Sequence, residues 1–213
     1  AGGQFSGGTF HSAMGAFARV REGQAALKAR RELEGYPQGR KIGSLANKVW
    51  FDKALGTWAI PMPTIDPQIV RRSAATLAEY GQTFNYGHYV QLKSLGKVVG
   101  LIGGVSTLLL GAQLKLTRDL LLKFKKQGDG PTPEQREKAW FRVLFRATVT
   151  SSNGRKQQLN AQVKGGDPGY GDTSKMLAES AMALAYDTLP ARSGQLTPVT
   201  AMGDALLTRL QAT

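Results

Sequence analysis

An α+β fold is predicted for this 213-residue chain, with a mixed or antiparallel sheet flanked by helices. Strand-like runs are interspersed with several helical patterns, and the chain shows no strict βαβ alternation. Residues 140–164 alternate strongly and indicate a β-hairpin. Because 41% of the residues are hydrophobic, the chain can bury a core and is not of the disordered class. No internal repeat is visible, so one domain over residues 1–213 is predicted.

Five helices are predicted outside the central segment, mostly from Ser, Thr or Asp caps and from proline at the first helical position. The first runs from Thr9 or Ser12 to about Val20, and the second covers residues 24–34. The third has Asp66 as its N-cap and Pro67 as its first residue, and it runs to about Tyr80. The fourth covers residues 172–189, and the fifth begins at Pro198, after Thr197 as its cap, and runs to about Leu210. Residues 84–92 alternate in polarity and are predicted to form one strand.

The hairpin at residues 140–164 is specific enough to predict its register. A two-residue Asn153-Gly154 turn would pair Val149 with Gln158, whereas a three-residue loop pairs Phe145 with Ala161. A slip of one residue inverts a whole face of a strand, so the register that pairs apolar with apolar residues is favoured. We therefore predict a three-residue loop with Gly154 in the left-handed conformation.

The chain is strongly basic, but its charge is local. The formal net charge is +13, and residues 93–126 carry seven basic side chains against one acidic side chain. Residues 165–213 carry three basic and five acidic side chains. Nucleic acid, anionic lipid and phosphorylated ligands are candidate partners of such a surface. The alternative is a solvated basic protein whose acidic complement lies elsewhere.

Composition excludes several kinds of site. The chain has no cysteine, which excludes disulfides, thiolate zinc sites and a cysteine nucleophile. With His11 and His88 as its two histidines, a histidine-rich metal site is excluded as well, and no metal is predicted. No signal segment opens the sequence, so a cytoplasmic location is the default.

Residues 97–126 form an apolar and then basic helical segment. Residues 98–114 are an uncharged run of 17 between Lys97 and Lys115. Since a spanning helix needs about 20 apolar residues, a transmembrane span is disfavoured. A buried helical hairpin and a shallow membrane-dipping segment both remain open.

The basic half of this segment, residues 114–126, is predicted to be an amphipathic helix. One arc of the helix carries the basic side chains Lys115, Arg118, Lys123, Lys125 and Lys126, and the other carries Leu114, Leu116, Leu120, Leu121 and Phe124. Such a helix either lies on an anionic membrane surface or packs on the core with its lysines in water. Nucleic-acid binding is disfavoured because no aromatic residue interleaves the basic ones.

No complete catalytic motif is present, and no catalytic residue is assigned. Asp167, in GGDPGY before a predicted helix, is either an acid in a cleft or part of a tight turn. His88, with Tyr86 and Tyr89, either takes part in proton transfer or is structural. The glycine cluster at residues 2–8 lacks the spacing of a dinucleotide-binding loop, and it indicates a chain that begins within a larger fold.

Four segments carry a family resemblance: GGQFSGGTFHSAM, PTIDPQIVRRSAATL, GGDPGYGDTSKMLAESAMALA and GQLTPVTAMGDALLTRL. They resemble the C-terminal half of saccharopine dehydrogenase-like oxidoreductases, a family that includes the mycobacterial trans-acting enoyl reductases of complex-lipid synthesis. The resemblance implies that the intact protein is an NAD(P)-dependent oxidoreductase with an N-terminal Rossmann domain. It identifies this chain as the substrate and dimerisation domain of a homodimer, inactive and without cofactor when alone.

The resemblance also implies where a site would lie. In such two-domain enzymes the reaction occurs in the crevice between the domains. By that similarity, Ser6, Gly7, Gly8 and Thr9 lie near the crevice, and Asp167 and Tyr170 line the same wall. We expect an apolar or lipid-linked substrate and a cytoplasmic enzyme that is peripheral on a membrane. The alternative is a non-enzymatic membrane-associated or interaction module of the same fold.

Overall fold

The computed structural model describes residues 6–34, 39–46, 48–62, 64–126, 128–151 and 153–213. Their helices are α1 Gly7–Ala18, α2 Val20–Glu34, α3 Asp66–Thr76, α4 Leu95–Gln113, α5 Lys115–Lys123, α6 Pro133–Glu137, α7 Gly171–Tyr186 and α8 Pro198–Ala212. Their strands are β1 Lys41–Ser44, β2 Trp50–Asp52, β3 Thr57–Pro61, β4 Thr83–Tyr86, β5 Tyr89–Leu92, β6 Phe141–Thr150 and β7 Lys156–Gly165. The predicted α+β class is confirmed.

The strands form three small sheets in the described part of the chain. β1 and β4 pair in parallel, and β2, β3 and β5 form an antiparallel sheet in that order. β6 and β7 form a separate two-stranded ribbon. The sheets are therefore mixed and flanked by helices, as predicted, although they are not joined into one sheet.

The single strand predicted over residues 84–92 is wrong. The chain leaves the parallel pair after Tyr86 and joins the antiparallel sheet at Tyr89. A Cβ added at Gly87 would lie 2.7 Å from the Tyr89 hydroxyl oxygen, so this side chain folds back over the break. Polar and apolar residues alternate in the same way through β4 and β5. This pattern does not show that the two strands pair with different neighbours.

The predicted register of the β6–β7 ribbon is confirmed. Phe145 pairs with Ala161, and Gly154 has a φ of +80° in the loop. All residues of 144–150 and 156–164 are exposed, so the ribbon stands away from the core. An ion pair, with 3.0 Å between Arg146 Nη1 and Asp52 Oδ2, connects its polar face to β2.

Several predicted helix ends are wrong. α1 begins at Gly7 with Ser6 as its N-cap, before Thr9 and Ser12, and it ends at Ala18 instead of Val20. The second helix begins four residues earlier than predicted, at Val20 instead of Gln24. The helix predicted over residues 172–189 ends at Tyr186.

Asp66 is the first residue of α3 and not its N-cap, which is Ile65. The Asp66 carboxylate lies instead 3.7 Å from His88 Nδ1. α3 ends at Thr76, and a 3₁₀ turn over Ala78–Tyr80 completes the predicted range. α8 follows Thr197 as predicted.

The helices pack in two groups. α1 contacts α4 and α5, and α4 also contacts β3 and β5. α3 packs on β1, β4 and α8, which in turn packs on α7. The hydroxyl oxygens of Ser73 and Thr197 lie 2.7 Å apart in the buried contact between α3 and α8. Among the residues that the structure describes, the buried hydrophobic ones are Met14, Ala59, Ile60, Ala74, Val98, Ala112, Ala139, Ala183 and Met202.

Candidate functional site

The first predicted crevice segment forms the start of α1. The Ser6 hydroxyl accepts a hydrogen bond from the Thr9 N–H at 3.0 Å and so caps the helix. Gly7 is buried, and its N–H donates to the Asp129 carbonyl at 2.6 Å. Gly8 is exposed beside it. The start of the helix is thus held against the segment that follows α5.

Gly7 is required by a close approach of backbone. A Cβ added there would lie 1.7 Å from the Lys126 carbonyl oxygen. The Gly7 N–H is already bonded, and the Lys126 carbonyl occupies the space beside Gly7. A dinucleotide pyrophosphate would need both that N–H and that space. In the part of the chain that the structure describes, the start of α1 does not form a dinucleotide cradle. Gly2 and Gly3 lie outside the described residues.

The second predicted crevice segment forms the turn before α7. The Asp167 carboxylate accepts hydrogen bonds from the N–H groups of residues 169–171 at 3.0 to 3.2 Å. Desolvation acts to raise the pKa of the Asp167 carboxyl, but these three donors outweigh it and hold the pKa below its ordinary value. Such an acid stays ionised, which fits the turn interpretation better than that of a proton donor.

The loop between α5 and α6 links the two predicted segments. Its residue Asp129 accepts the Gly7 N–H, and a Cβ at Gly130 would lie 2.7 Å from the Tyr170 hydroxyl oxygen. The Arg136 guanidinium lies 5.5 Å from the centre of the Tyr170 ring, as in a cation–π contact. The two segments that the resemblance pointed to therefore contact one loop.

The apolar segment forms one exposed helix, so a buried helical hairpin at residues 98–114 is wrong. Within α4, Val98 and Ala112 are buried. Other large apolar side chains of α4 are exposed to solvent, among them Val99, Ile102 and Leu110, and Leu110 is 70% exposed. α4 is long and apolar enough to cross a membrane by length and composition, which is weak evidence of a span.

The basic helix, α5, does not pack most of its large apolar side chains on the core. Leu116 and Phe124 are 84% and 80% exposed, and Leu120 is exposed between them. Leu121 and Leu122 are half-buried, and a Cβ at Gly111 would lie 3.1 Å from Leu121 Cδ1. The apolar arc that the sequence indicated is therefore turned largely to solvent.

The single basic arc predicted over residues 114–126 is partly wrong, because α5 ends at Lys123. Lys115, Arg118 and Lys123 lie on the helix. Lys125 and Lys126 lie beyond the end of the helix, and the backbone of each forms a hydrogen bond with a side chain. His11 Nε2 donates to the Lys125 carbonyl at 2.8 Å, and the Lys126 N–H donates to the Asp129 carboxylate at 2.8 Å.

A polar pocket of about 150 Å³ lies where the two parallel strands β1 and β4 end. Its polar lining residues are Ser44, Thr64, Gln68, Arg71, Tyr86 and His88. Burial, together with the nearby Asp66 carboxylate and Tyr80, raises the pKa of the Tyr86 hydroxyl. Tyr86 and His88 were candidates from the sequence. Arg71 was not, because nothing in a helical pattern shows that its side chain reaches a strand end.

The described residues contain no group of three His, Asp or Glu side chains that could hold a metal ion. A larger concavity of about 510 Å³ lies at the base of the β6–β7 ribbon, between Trp140 and Gly165. Phe141, Arg142 and Lys164 line it between these two residues.

Known proteins share much of this sequence. A protein of Mycobacterium tuberculosis (strain H37Rv), named as a candidate trans-acting enoyl reductase, is 36% identical over 186 residues, or 82% of this chain. The chain is similar to trans-acting enoyl reductases. Those of Mycobacterium bovis (BCG) and Mycobacterium ulcerans are 36% and 33% identical over 67% and 74% of the chain.

The chain spans a minor part of these relatives. It covers 42% of the Mycobacterium tuberculosis protein, and 36% and 39% of the other two. No protein-family model matches the chain, and no solved structure does. The enoyl reductase part of the resemblance is confirmed, and the wider saccharopine dehydrogenase-like grouping stays a prediction.

Proposed function

We propose that this chain is the substrate-binding part of an NAD(P)H-dependent enoyl reductase that acts on an apolar or lipid-linked acyl substrate. The similarity covers 82% of the chain but 42% of the relative, so more than half of the relative lies outside it. A Rossmann domain in that other part would bind the cofactor. NAD(P)H would supply a hydride to the β-carbon of the enoyl group, and a proton would be added at the α-carbon.

The exposed apolar surfaces of α4 and α5 carry the substrate proposal. Leu110 on α4, with Leu116, Leu120 and Phe124 on and just after α5, are all more than half exposed. Each large apolar side chain that an acyl chain removed from water would contribute about 1.5–3 kcal/mol. An acyl chain laid along these helices would therefore gain affinity without any new polar contact.

Seating on an anionic membrane is the second candidate function. Lys115 and Lys123 lie on the helix that exposes Leu116 and Leu120. A helix that carries cations beside exposed leucines is typical of elements that lie in the headgroup region of a bilayer. A reductase of lipid-linked substrates could use both functions.

One experiment with two probes separates these candidates. The first probe is cis-parinaric acid, whose fluorescence rises in apolar surroundings. The second is co-sedimentation with vesicles of phosphatidylcholine, with and without phosphatidylglycerol. The variants are L116S/L120S and K115E/K123E, and K156E/K164E on the exposed ribbon is the control with the same change of charge.

Substrate binding predicts saturable binding of parinaric acid, added as its uncharged methyl ester, that L116S/L120S weakens about tenfold and K115E/K123E leaves unchanged. Membrane seating predicts sedimentation that follows phosphatidylglycerol content and is lost in K115E/K123E but kept in the control. If the folded chain binds neither probe, both functions of these helices are excluded.

A homodimer through the β6–β7 ribbon is also proposed. One face of the ribbon carries Phe145, Val149, Leu159 and Val163, all exposed and uncharged. A two-stranded ribbon is marginally stable in isolation, so a partner that covers its apolar face would stabilise it. Because this face carries no charge, no like charges of the two copies would meet within the contact.

A further inference from the structure

The polar pocket at the ends of β1 and β4, hereafter the Tyr86 pocket, contains donors that the fold itself does not use. The Thr64 hydroxyl oxygen is buried and has no hydrogen-bond partner among the described residues, and the buried His88 Nδ1 faces the Asp66 carboxylate at 3.7 Å, beyond hydrogen-bond distance. Buried polar atoms are nearly always paired, so an unpaired set at one cavity needs an explanation. A bound polar group would supply it.

Arg71 provides a fixed positive charge at the wall of this pocket. Its Nε donates to the Pro67 carbonyl at 2.9 Å, and its Nη1 donates to the Ser44 hydroxyl. These bonds anchor the guanidinium between α3 and the end of β1. A guanidinium held in this way suits a planar or tetrahedral oxyanion.

The carboxylate near the pocket is already paired. Asp66 Oδ2 lies 3.7 Å from His88 Nδ1, and its side chain is about half exposed. Its contact is with His88, so the charge of Arg71 remains for a ligand. Tyr86 and Ser44, whose residues pair across the parallel strands, add hydroxyl groups at the same strand ends.

We propose that the Tyr86 pocket binds a small oxyanion, the carboxylate or phosphate group of a ligand, through Arg71, Thr64 and Tyr86. A volume of about 150 Å³ accommodates one such group but neither a nucleotide nor an acyl chain. The open ends of parallel strands are also where ligands commonly bind in α/β sheets. The pocket would bind this group whether or not the intact protein is a reductase.

Nuclear magnetic resonance of His88 tests the site in the 213-residue chain. The chain has two histidines, so substitution of His11 assigns both imidazole signals. The probes are inorganic phosphate and acetate, titrated separately at constant pH and ionic strength, with chloride as the reference anion. The variants are R71Q and T64V, and K53Q is the control that removes one charge from an exposed turn.

The expected result is a saturable shift of the His88 signals, with those of His11 unmoved. R71Q should weaken binding at least about tenfold, because it removes a charge-assisted bond, and K53Q should leave binding unchanged. Tighter binding of phosphate indicates a phosphate ester as the ligand, and tighter binding of acetate indicates a carboxylate.

T64V, which removes a hydroxyl at nearly constant volume, gives a second reading if R71Q does not fold, and it should weaken binding about threefold. The site is rejected if the shifts do not saturate or if chloride reproduces them. Equal affinity in the wild type and in every folded pocket variant would also overturn it.

Discussion

Gly7 shows how one residue can fix the position of a helix. Its N–H donates to the Asp129 carbonyl, and its missing side chain leaves room for the Lys126 carbonyl. The neighbouring Gly8 has no such constraint, because a Cβ there would lie 3.7 Å from the Ser6 hydroxyl oxygen, an ordinary contact. The two glycines look alike in sequence and differ in what surrounds them.

Gly7→Ala is therefore expected to lower the free energy of unfolding by about 1–3 kcal/mol, because backbone must move to admit the methyl group. Gly8→Ala, the matched control, should change it by less than about 1 kcal/mol. Urea denaturation followed by circular dichroism measures both. Equal effects of the two substitutions would contradict the packing of α1 described above.

Asp187 and Arg209 form an ion pair between the end of α7 and α8. Arg209 Nε and Nη2 donate to the two Asp187 carboxylate oxygens at 2.6 and 2.8 Å, and Nη1 donates to Glu179 at 3.3 Å. The hydrogen bonds from Arg209 lower the pKa of the Asp187 carboxyl, and desolvation opposes this in part. The pKa of Arg209 is raised in turn.

This pair makes the stability of α7 and α8 depend on pH. A carboxyl whose pKa is lower in the folded state stabilises the fold above its unfolded pKa and loses that contribution as pH falls through the folded value. Asp187→Asn should lower the melting temperature at neutral pH, with a gap from the wild type that closes below about pH 4. Thermal unfolding measured from pH 2.5 to 7 shows this.

Asp204→Asn, an exposed substitution on the same helix as Arg209, is the control. Its melting temperature should differ from that of the wild type by the same amount at every pH. A constant gap between Asp187→Asn and the wild type over the whole pH range would mean that the ion pair does not couple to folding.

At the scale of elements, prediction succeeded where a local pattern was sufficient. The register of the β6–β7 ribbon follows from the two faces of its own strands, since a slip would place Phe145 opposite a polar residue. β4 and β5 failed as a single strand because their partners, β1 and β3, lie far away in sequence. Alternation reports which side of a strand is apolar, not which strand lies beside it.

For the helices α4 and α5, too, the sequence pattern predicted the element but not what lies beside it. Their amphipathic and apolar patterns predicted helix correctly, and the break at Leu114 divides the segment in two. The patterns did not predict that Leu116 and Phe124 would face solvent. A hydrophobic arc indicates that something covers it, but the sequence does not distinguish core from lipid, substrate or another chain.

For the whole molecule, the fold class followed from composition and periodicity, whereas the site was only partly predictable. The similarity to longer enoyl reductases explains why. In the proposed reductase the active site lies between this part and the cofactor domain, so part of its catalytic set would lie outside this chain. The Tyr86 pocket was missed in part because α3, β1 and β4 contribute to it from distant points of the sequence.

An exchange of the matching region tests the substrate-binding proposal most directly. The 186 aligned residues of the Mycobacterium tuberculosis relative are replaced by those of this chain, and reduction of a long-chain 2-enoyl thioester by NADPH is followed. NADPH fluorescence checks that the hybrid still binds the cofactor.

The hybrid is expected to keep its kcat/KM for that thioester within about tenfold of the relative's, because the transplanted part supplies an equivalent substrate surface. L116S/L120S in the hybrid should raise KM for long-chain substrates more than for a four-carbon one. A hybrid that binds NADPH normally but reduces no enoyl thioester of any length would contradict the proposal.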